Sequence, residues 1–240
     1  MKKLQSGAEA LGIQLNSEQV GKFELYYREL IDWNERMNLT SITDYEGVQV
    51  KHFLDSLTVK AGMKSPDTKQ GLNVIDIGSG AGLPGIPLKI AFPDIKLVLL
   101  EATSKKAVFL QHVINRLGLD NVEVITDRAE VIAHSAQYRE KYDLVLSRAV
   151  SSLPTLAELT LPFCTVGGRF IAQKKGDIES EILQSRKAID MLGGRLREVK
   201  PIELGEPEDK RCLVVIDKIN PSPVAYPRRP GVPAKRPLIS

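Results

Sequence analysis

One stretch narrows the fold more than any other: Asn73-Val74-Ile75-Asp76-Ile77, then Gly78-Ser79-Gly80-Ala81-Gly82, then Leu83-Pro84-Gly85. Its apolar start reads as a buried parallel strand. The alternating glycines let the backbone turn tightly and come close to a ligand. Pro84 suits the first turn of a helix, where its missing N–H costs nothing. Strand, glycine loop and helix form the unit with which α/β folds build a nucleotide-type site at the carboxyl end of a sheet.

Two helices precede this unit. Residues 16–37 carry Val20, Phe23, Tyr27, Leu30 and Ile31 at helical spacing, with Asn16 or Ser17 as N-cap. A second helix runs from about 45 to 62, and Ser65 to Gly71 breaks the pattern. From Leu72 onward strands and helices alternate, the signature of a mainly parallel sheet covered on both faces. Strands are expected at 72–77, 96–100, 122–125, 143–146 and 168–173, with helices at 84–92, 103–117, 153–164 and 178–191. Leu196 to Glu203 and Cys212 to Ile216 read as two more strands, joined through the charged loop Gly205 to Lys210. So short a link makes them antiparallel. The division expected is a helical extension over 1–66, a core over 67–219 and a tail over 220–240. That tail holds six prolines, four basic residues and no acid. It is expected to run extended, without sheet or helix.

At 240 residues the chain suits one large α/β domain with an accessory element. Its net charge is only +3, so any affinity for nucleic acid must lie in where the charges sit. Cys164 and Cys212 stand far apart in apolar surroundings, as buried thiols of a reducing compartment do. The N-terminus lacks the apolar core of a signal peptide, and no run approaches ~18 apolar residues. A cytoplasmic protein with no membrane partner is expected, monomeric by default.

Gly80, Gly82 and Gly85 formally satisfy the dinucleotide pattern G-x-G-x-x-G. Asp76, directly before the loop, would set negative charge beside a pyrophosphate. With Gly78 the pattern becomes D-x-G-x-G-x-G, and an acidic lead-in suits a ligand with a cationic amino acid end, such as S-adenosylmethionine. Glu101, ending the second strand, can accept from both ribose hydroxyls, or cap the helix starting near Thr103. Asp127-Arg128-Ala129-Glu130 follows the third strand, where an adenine ring would lie, although Glu130 also reads as a first-turn acid.

After the fourth strand come Ser147-Arg148-Ala149-Val150. The Asn-Pro-Pro-aromatic motif of exocyclic amine methyltransferases is absent, as is the cysteine used to make 5-methylcytosine. No Ser–His–Asp order or metal spacing is present. A nucleophile with a free lone pair, such as guanine N7, needs no general base, and its transfer rests on alignment and electrostatics. Arg148 is placed to contact guanine O6 or the cofactor carboxylate, with a structural ion pair as the other reading. His52 and Asp55 share a helix face. Either they reach the mouth of the site or His52 packs against Asp55. His112 and His134 are expected on helices and exposed.

Asn38-Leu39-Thr40, His52-Phe53-Leu54-Asp55-Ser56-Leu57, Asp76 to Pro87, Arg128-Ala129-Glu130, Ser147 to Val150 and Tyr226-Pro227-Arg228-Arg229-Pro230-Gly231 together resemble the RsmG (GidB) family. These are bacterial methyltransferases acting on guanine N7 of small-subunit ribosomal RNA, and the resemblance covers nearly the whole chain. It implies a class I S-adenosylmethionine-dependent methyltransferase fold: a Rossmann-like, mostly parallel seven-stranded sheet with an antiparallel C-terminal hairpin and N-terminal helices. It also implies cofactor contacts at Gly78, Leu83, Ala129, Glu130 and Arg148; the loop itself adds Asp76 and Gly80, and Arg148 is the residue expected to act in catalysis. Glu101, Ala102, Thr103 and Ser104 take the ribose side, where many relatives have Asp-Ser. Lys174, Lys175, Arg228, Arg229, Lys235 and Arg236 would face the RNA, as free molecule or assembling subunit. The alternatives are an NAD(P)-dependent oxidoreductase and a non-catalytic RNA- or ribosome-binding protein.

Overall fold

The computed structural model describes residues 1–64, 71–148, 151–204 and 210–239. Residues 65–70 of the expected break at 65–71, residues 149–150 after the fourth strand and loop residues 205–209 lie outside them.

A seven-stranded sheet in the order β3-β2-β1-β4-β5-β7-β6 organises the chain. Its strands are β1 (Asn73–Ile77), β2 (Lys96–Leu100), β3 (Val122–Ile125), β4 (Tyr142–Arg148), β5 (Cys164–Lys175), β6 (Gly194–Ile202) and β7 (Arg211–Lys218). The first five run parallel, and β7 pairs antiparallel with both β5 and β6, as the short link required. Register sets Ile77 beside Leu100, Leu100 beside Ile125 and Arg148 beside Gln173. The residues that follow β1, β2 and β4 therefore emerge along one edge. Strand β5 is longer than expected, and Lys174 and Lys175 are its last two residues rather than a following loop.

Helices α1 (Lys2–Ala10), α2 (Ser17–Met37), α3 (Tyr45–Val48), α4 (Asp55–Leu57), α5 (Gly85–Ala91), α6 (Ser104–Leu117), α7 (Ala129–Ile132), α8 (Leu153–Thr160), α9 (Glu179–Met191) and α10 (Val232–Lys235) complete the chain. Asn16 caps α2 in a reciprocal box with Gln19, and Gly118 ends α6 in the left-handed conformation at φ 58°. Val74, Leu97 and Leu99 turn towards α2, α5 and α6, whereas Ile75, Ile77 and Val98 turn towards α8 and α9. This alternation fills both faces of the sheet. Among the described residues, no helix is long and apolar enough to cross a membrane.

Three expectations change. Helix α1 was not anticipated; it buries Leu4 and Ala8 in the core shared with α2. The helix over 45–62 is composite: between α3 and α4 the stretch Gln49–Leu54 is π-helical, and Thr58–Gly62 is a 3₁₀ turn. The wider turn carries Lys51 and His52, and such turns recur at functional sites.

The tail does not simply run extended. It contains α10 and is strapped to the core. Arg139 donates to the carbonyls of Tyr226 (2.9 Å), Ser222 (2.8 Å) and Pro223 (3.0 Å), and Thr155 Oγ1 donates to Pro233 O at 3.2 Å. His134, exposed but in a turn, lies 2.8 Å from Pro227 O. Prolines lack N–H groups but keep their carbonyls, so side chains from the core satisfy the strap.

Candidate functional site

The loop after β1 is shaped from below. Asp76 is fully buried, and its Oδ2 accepts the Gly85 N–H at the start of α5 at 2.9 Å. A Cβ on Gly85 would lie 2.7 Å from Leu99 Cδ2 and 3.0 Å from Asp76 Oδ2, so only glycine lets α5 begin this close to β1. Pro84 is the residue just before the helix, one position earlier than expected. Tyr26, buried on α2, donates its hydroxyl to Ala81 O and braces the loop from the N-terminal helices. Gly80 holds φ at 58° and donates its N–H to Glu101 Oε2 at 2.9 Å. The other oxygen of Glu101 accepts the Thr103 N–H at 2.8 Å. Glu101 thus ties the glycine loop to the start of α6, and both of its oxygens keep lone pairs.

A cavity of about 430 Å³ opens above this arrangement, lined by Gly78, Gly80, Leu83, Glu101 and Ala102, with Thr40, His52 and Arg148 across from them. Its residues fit a nucleoside with a cationic end. Asp76 itself lies beneath the loop, outside the cavity wall, and its Oδ1 is buried without a hydrogen-bond partner among the described residues. Burial pushes the Asp76 carboxyl up to about 7, against the opposing pull of the Gly85 N–H and Arg148. Thr103 and Ser104 start α6 outside the cavity wall, and Ala129 and Glu130 start α7, also outside it. Glu130 is not a solvent-facing acid: it is buried, and its carboxylate accepts the Gly231 N–H of the strap at 2.9 Å.

A second cavity, of about 510 Å³, adjoins the first at the edge where β4 and β5 end and β7 begins. His52 and Arg148 line both cavities and form their shared wall. Arg148 donates to Asp55 Oδ2 at 2.8 Å and to Lys51 O at 3.2 Å, and its second terminal nitrogen lies 3.3 Å from His52 Nδ1. Thr40 Oγ1 is 2.7 Å from His52 Nε2. His52 and Asp55 do not bond to one another; they meet on Arg148 instead. Burial first, then the Arg148 charge, lowers His52 to about 4, so the imidazole is neutral at neutral pH.

Sequence reasoning missed Lys51, Gln173 and Arg211, which also line the second cavity. Arg211 reaches Asp55 Oδ2 at 2.8 Å, and Gln173 Nε2 fixes the Asp55 carbonyl at 2.6 Å. The pairing of β5 with β7 sets Lys175 opposite Arg211, a meeting that no local sequence pattern signals.

Of the cations expected to face RNA, Lys174 and Lys175 line this cavity, and Lys174 Nζ bonds Ser151 O and Glu181, each at 2.9 Å. Arg229, Lys235 and Arg236 are exposed on the strap. Arg228 is a correction. Its guanidinium grips Glu158, which is 0% exposed, with contacts of 2.6 to 3.2 Å, and its backbone N–H donates to the same carboxylate. Burying an acid requires such a partner, so Arg228 holds the strap instead of meeting a phosphate. The two cysteines are buried and free, as expected.

Residues 19–210 match the family described as rRNA small subunit methyltransferase G. A Ribosomal RNA small subunit methyltransferase G from Dehalococcoides mccartyi is 56% identical over 240 residues, covering 100% of each chain. The protein of that name from Roseiflexus castenholzii is 48% identical over 232 residues, 97% of each. Among solved structures, a mutant of MtNAS in complex with S-adenosylmethionine superposes with a TM-score of 0.56 at 18% identity, covering 90% of this chain and 77% of that one. At such identity the likeness is one of fold.

Proposed function

The chain belongs to the rRNA small subunit methyltransferase G family, and from that premise we propose that it methylates N7 of a guanine in 16S ribosomal RNA. Its activity is S-adenosylmethionine-dependent methylation of small-subunit ribosomal RNA. One observation carries the finer reading: a glycine-loop cavity and a basic cavity meet at a wall made of His52 and Arg148. Among the described residues the shared wall holds no cysteine to attack a ring carbon, and its imidazole is engaged by Thr40 and Arg148 instead of standing free to take a proton from an amine. Guanine N7 needs neither, because its lone pair is already free.

The bound cofactor supplies an electrophilic methyl group on a positively charged sulfur. Glu101, on the cavity wall, would accept the ribose hydroxyls, and Asp76, buried beneath the loop, would favour the cationic amino acid end through its charge. Arg148 orients the base at the wall, and the neutral His52 adds no positive charge where a cation is being transferred. RNA approaches over Lys51 and Lys175 on the rim of the second cavity, so affinity falls steeply with added salt.

Incubation with labelled S-adenosylmethionine and 16S RNA lacking the modification should yield 7-methylguanine. S-adenosylhomocysteine, and not NAD, should raise the melting temperature, by the equivalent of about 2.7 kcal/mol at a hundred times its Kd. Label in an exocyclic amine or a pyrimidine carbon would refute the N7 assignment. Glu101→Ala, which leaves the Gly80 and Thr103 N–H groups without their acceptor, should weaken S-adenosylhomocysteine binding on the order of a hundredfold by calorimetry.

A further inference from the structure

Asp55 and Arg148 present a carboxylate and a guanidinium side by side on one wall of the second cavity. Asp55 Oδ2 takes both Arg148 and Arg211, and no hydrogen bond reaches its Oδ1 among the described residues. The two groups also have an order: Arg148 stands at the junction with the loop cavity, and Asp55 lies beyond it, outside that cavity's wall.

We propose that this pair selects guanine as the acceptor base, an inference that rests on the N7 reading above. The edge of guanine runs from N7 to the acceptor O6 and then to the donor N1–H, followed by the exocyclic amine. With N7 turned to the junction, O6 meets the Arg148 guanidinium and N1–H meets Asp55 Oδ1. Adenine runs the opposite way: its N6 amino group would face Arg148, and the N1 lone pair would face the carboxylate. Both contacts are repulsive, so the device works by rejection as well as by attraction. Arg211 acts through Asp55 as a positioning residue: it holds the carboxylate aimed while Arg148 engages the base. The Gln173 bond to the Asp55 carbonyl fixes the same turn of helix from β5.

The test uses the full chain and 16S RNA with a base analogue at the target position. Inosine keeps O6 and N1–H; 2-aminopurine has neither. Wild-type protein should methylate the inosine RNA within about tenfold of the guanine RNA and the 2-aminopurine RNA at least about a hundredfold more slowly. In Asp55→Asn the guanine to 2-aminopurine ratio of kcat/KM should narrow by about tenfold to a hundredfold, with S-adenosylhomocysteine affinity unchanged. Comparing the ratio between variant and wild type cancels the intrinsic reactivity of each base. An unchanged ratio in a variant that still binds S-adenosylhomocysteine overturns the proposal. So does wild-type protein that methylates 2-aminopurine as fast as inosine, a result that stands even if the variant does not fold. Methylation of guanine at an atom other than N7 would instead fail the function reading itself.

Discussion

Replacing Arg228 with alanine should lower the melting temperature by about 6–20 °C. Glu158 is fully buried in α8, and Arg228 is the charged partner that compensates it. Removing one member of a buried pair leaves an uncompensated charge, which costs about 3–5 kcal/mol. For a chain of this size each kcal/mol corresponds to roughly 2–4 °C. Lysine would not substitute, because it lacks the planar fork that spans both Glu158 oxygens. The neighbouring exposed Arg229 provides the contrast: its alanine variant should stay within about 0.5 kcal/mol of wild type. Differential scanning calorimetry separates the two. Equal melting temperatures for both variants would mean that Arg228 does not carry the strap.

The contrast between Arg228 and Arg229 also shows where sequence reasoning stopped. Proline content says which backbone hydrogen bonds a segment is unable to donate, and so excludes sheet and long helix. It does not say which distant side chains will take up the free carbonyls, and here Arg139 does so across more than eighty residues. Local signals were read more fully. The Asn16 cap, the Gly118 stop and the continuous apolar runs of β1 and β2 each depend on neighbours a few positions away, and those elements lie within a residue or two of expectation. The first cavity was legible for the same reason: Gly80 and Glu101 follow adjacent parallel strands, so register alone brings them together. Helix α1 escaped because two buried positions, Leu4 and Ala8, make too short a stripe to register as periodic. The second cavity joins a π-helical turn, the ends of β4 and β5, and the start of β7. No local pattern encodes that meeting, so Lys51 and Arg211 went unseen, and of the two readings of His52 and Asp55 the direct bond between them is the one the structure lacks.

Asp76 makes opposite predictions for binding and for stability, and together they identify its role. Its carboxyl ionises near 7 in the folded protein, against 3.8 for the free group, because burial disfavours the charge. A pKa raised by folding stabilises the protein fully below the unfolded value, and that contribution is lost as pH rises through the folded one. Between about pH 4 and 7 the ligand-free protein should therefore lose stability through this group. A ligand with a cationic end recovers part of the loss, since it interacts with the ionised form. S-adenosylmethionine affinity should then rise by up to about tenfold per pH unit until it levels near pH 7. In Asp76→Asn the bond to the Gly85 N–H can persist while the charge is gone. That variant should bind the cofactor about a hundred- to a thousandfold more weakly at pH 7.5, the scale of a charge pair at a few ångströms in a partly buried site. Its affinity should be flat between pH 5.5 and 7. Without ligand, the same variant should melt higher than wild type at pH 7.5, because it no longer buries an unpaired charge. Calorimetric titration and melting curves across that pH range measure both effects. A variant that lost binding and stability together would make Asp76 a support for the loop alone. Weaker binding with a higher melting temperature would mark a carboxylate kept at a cost to the fold because the ligand needs its charge.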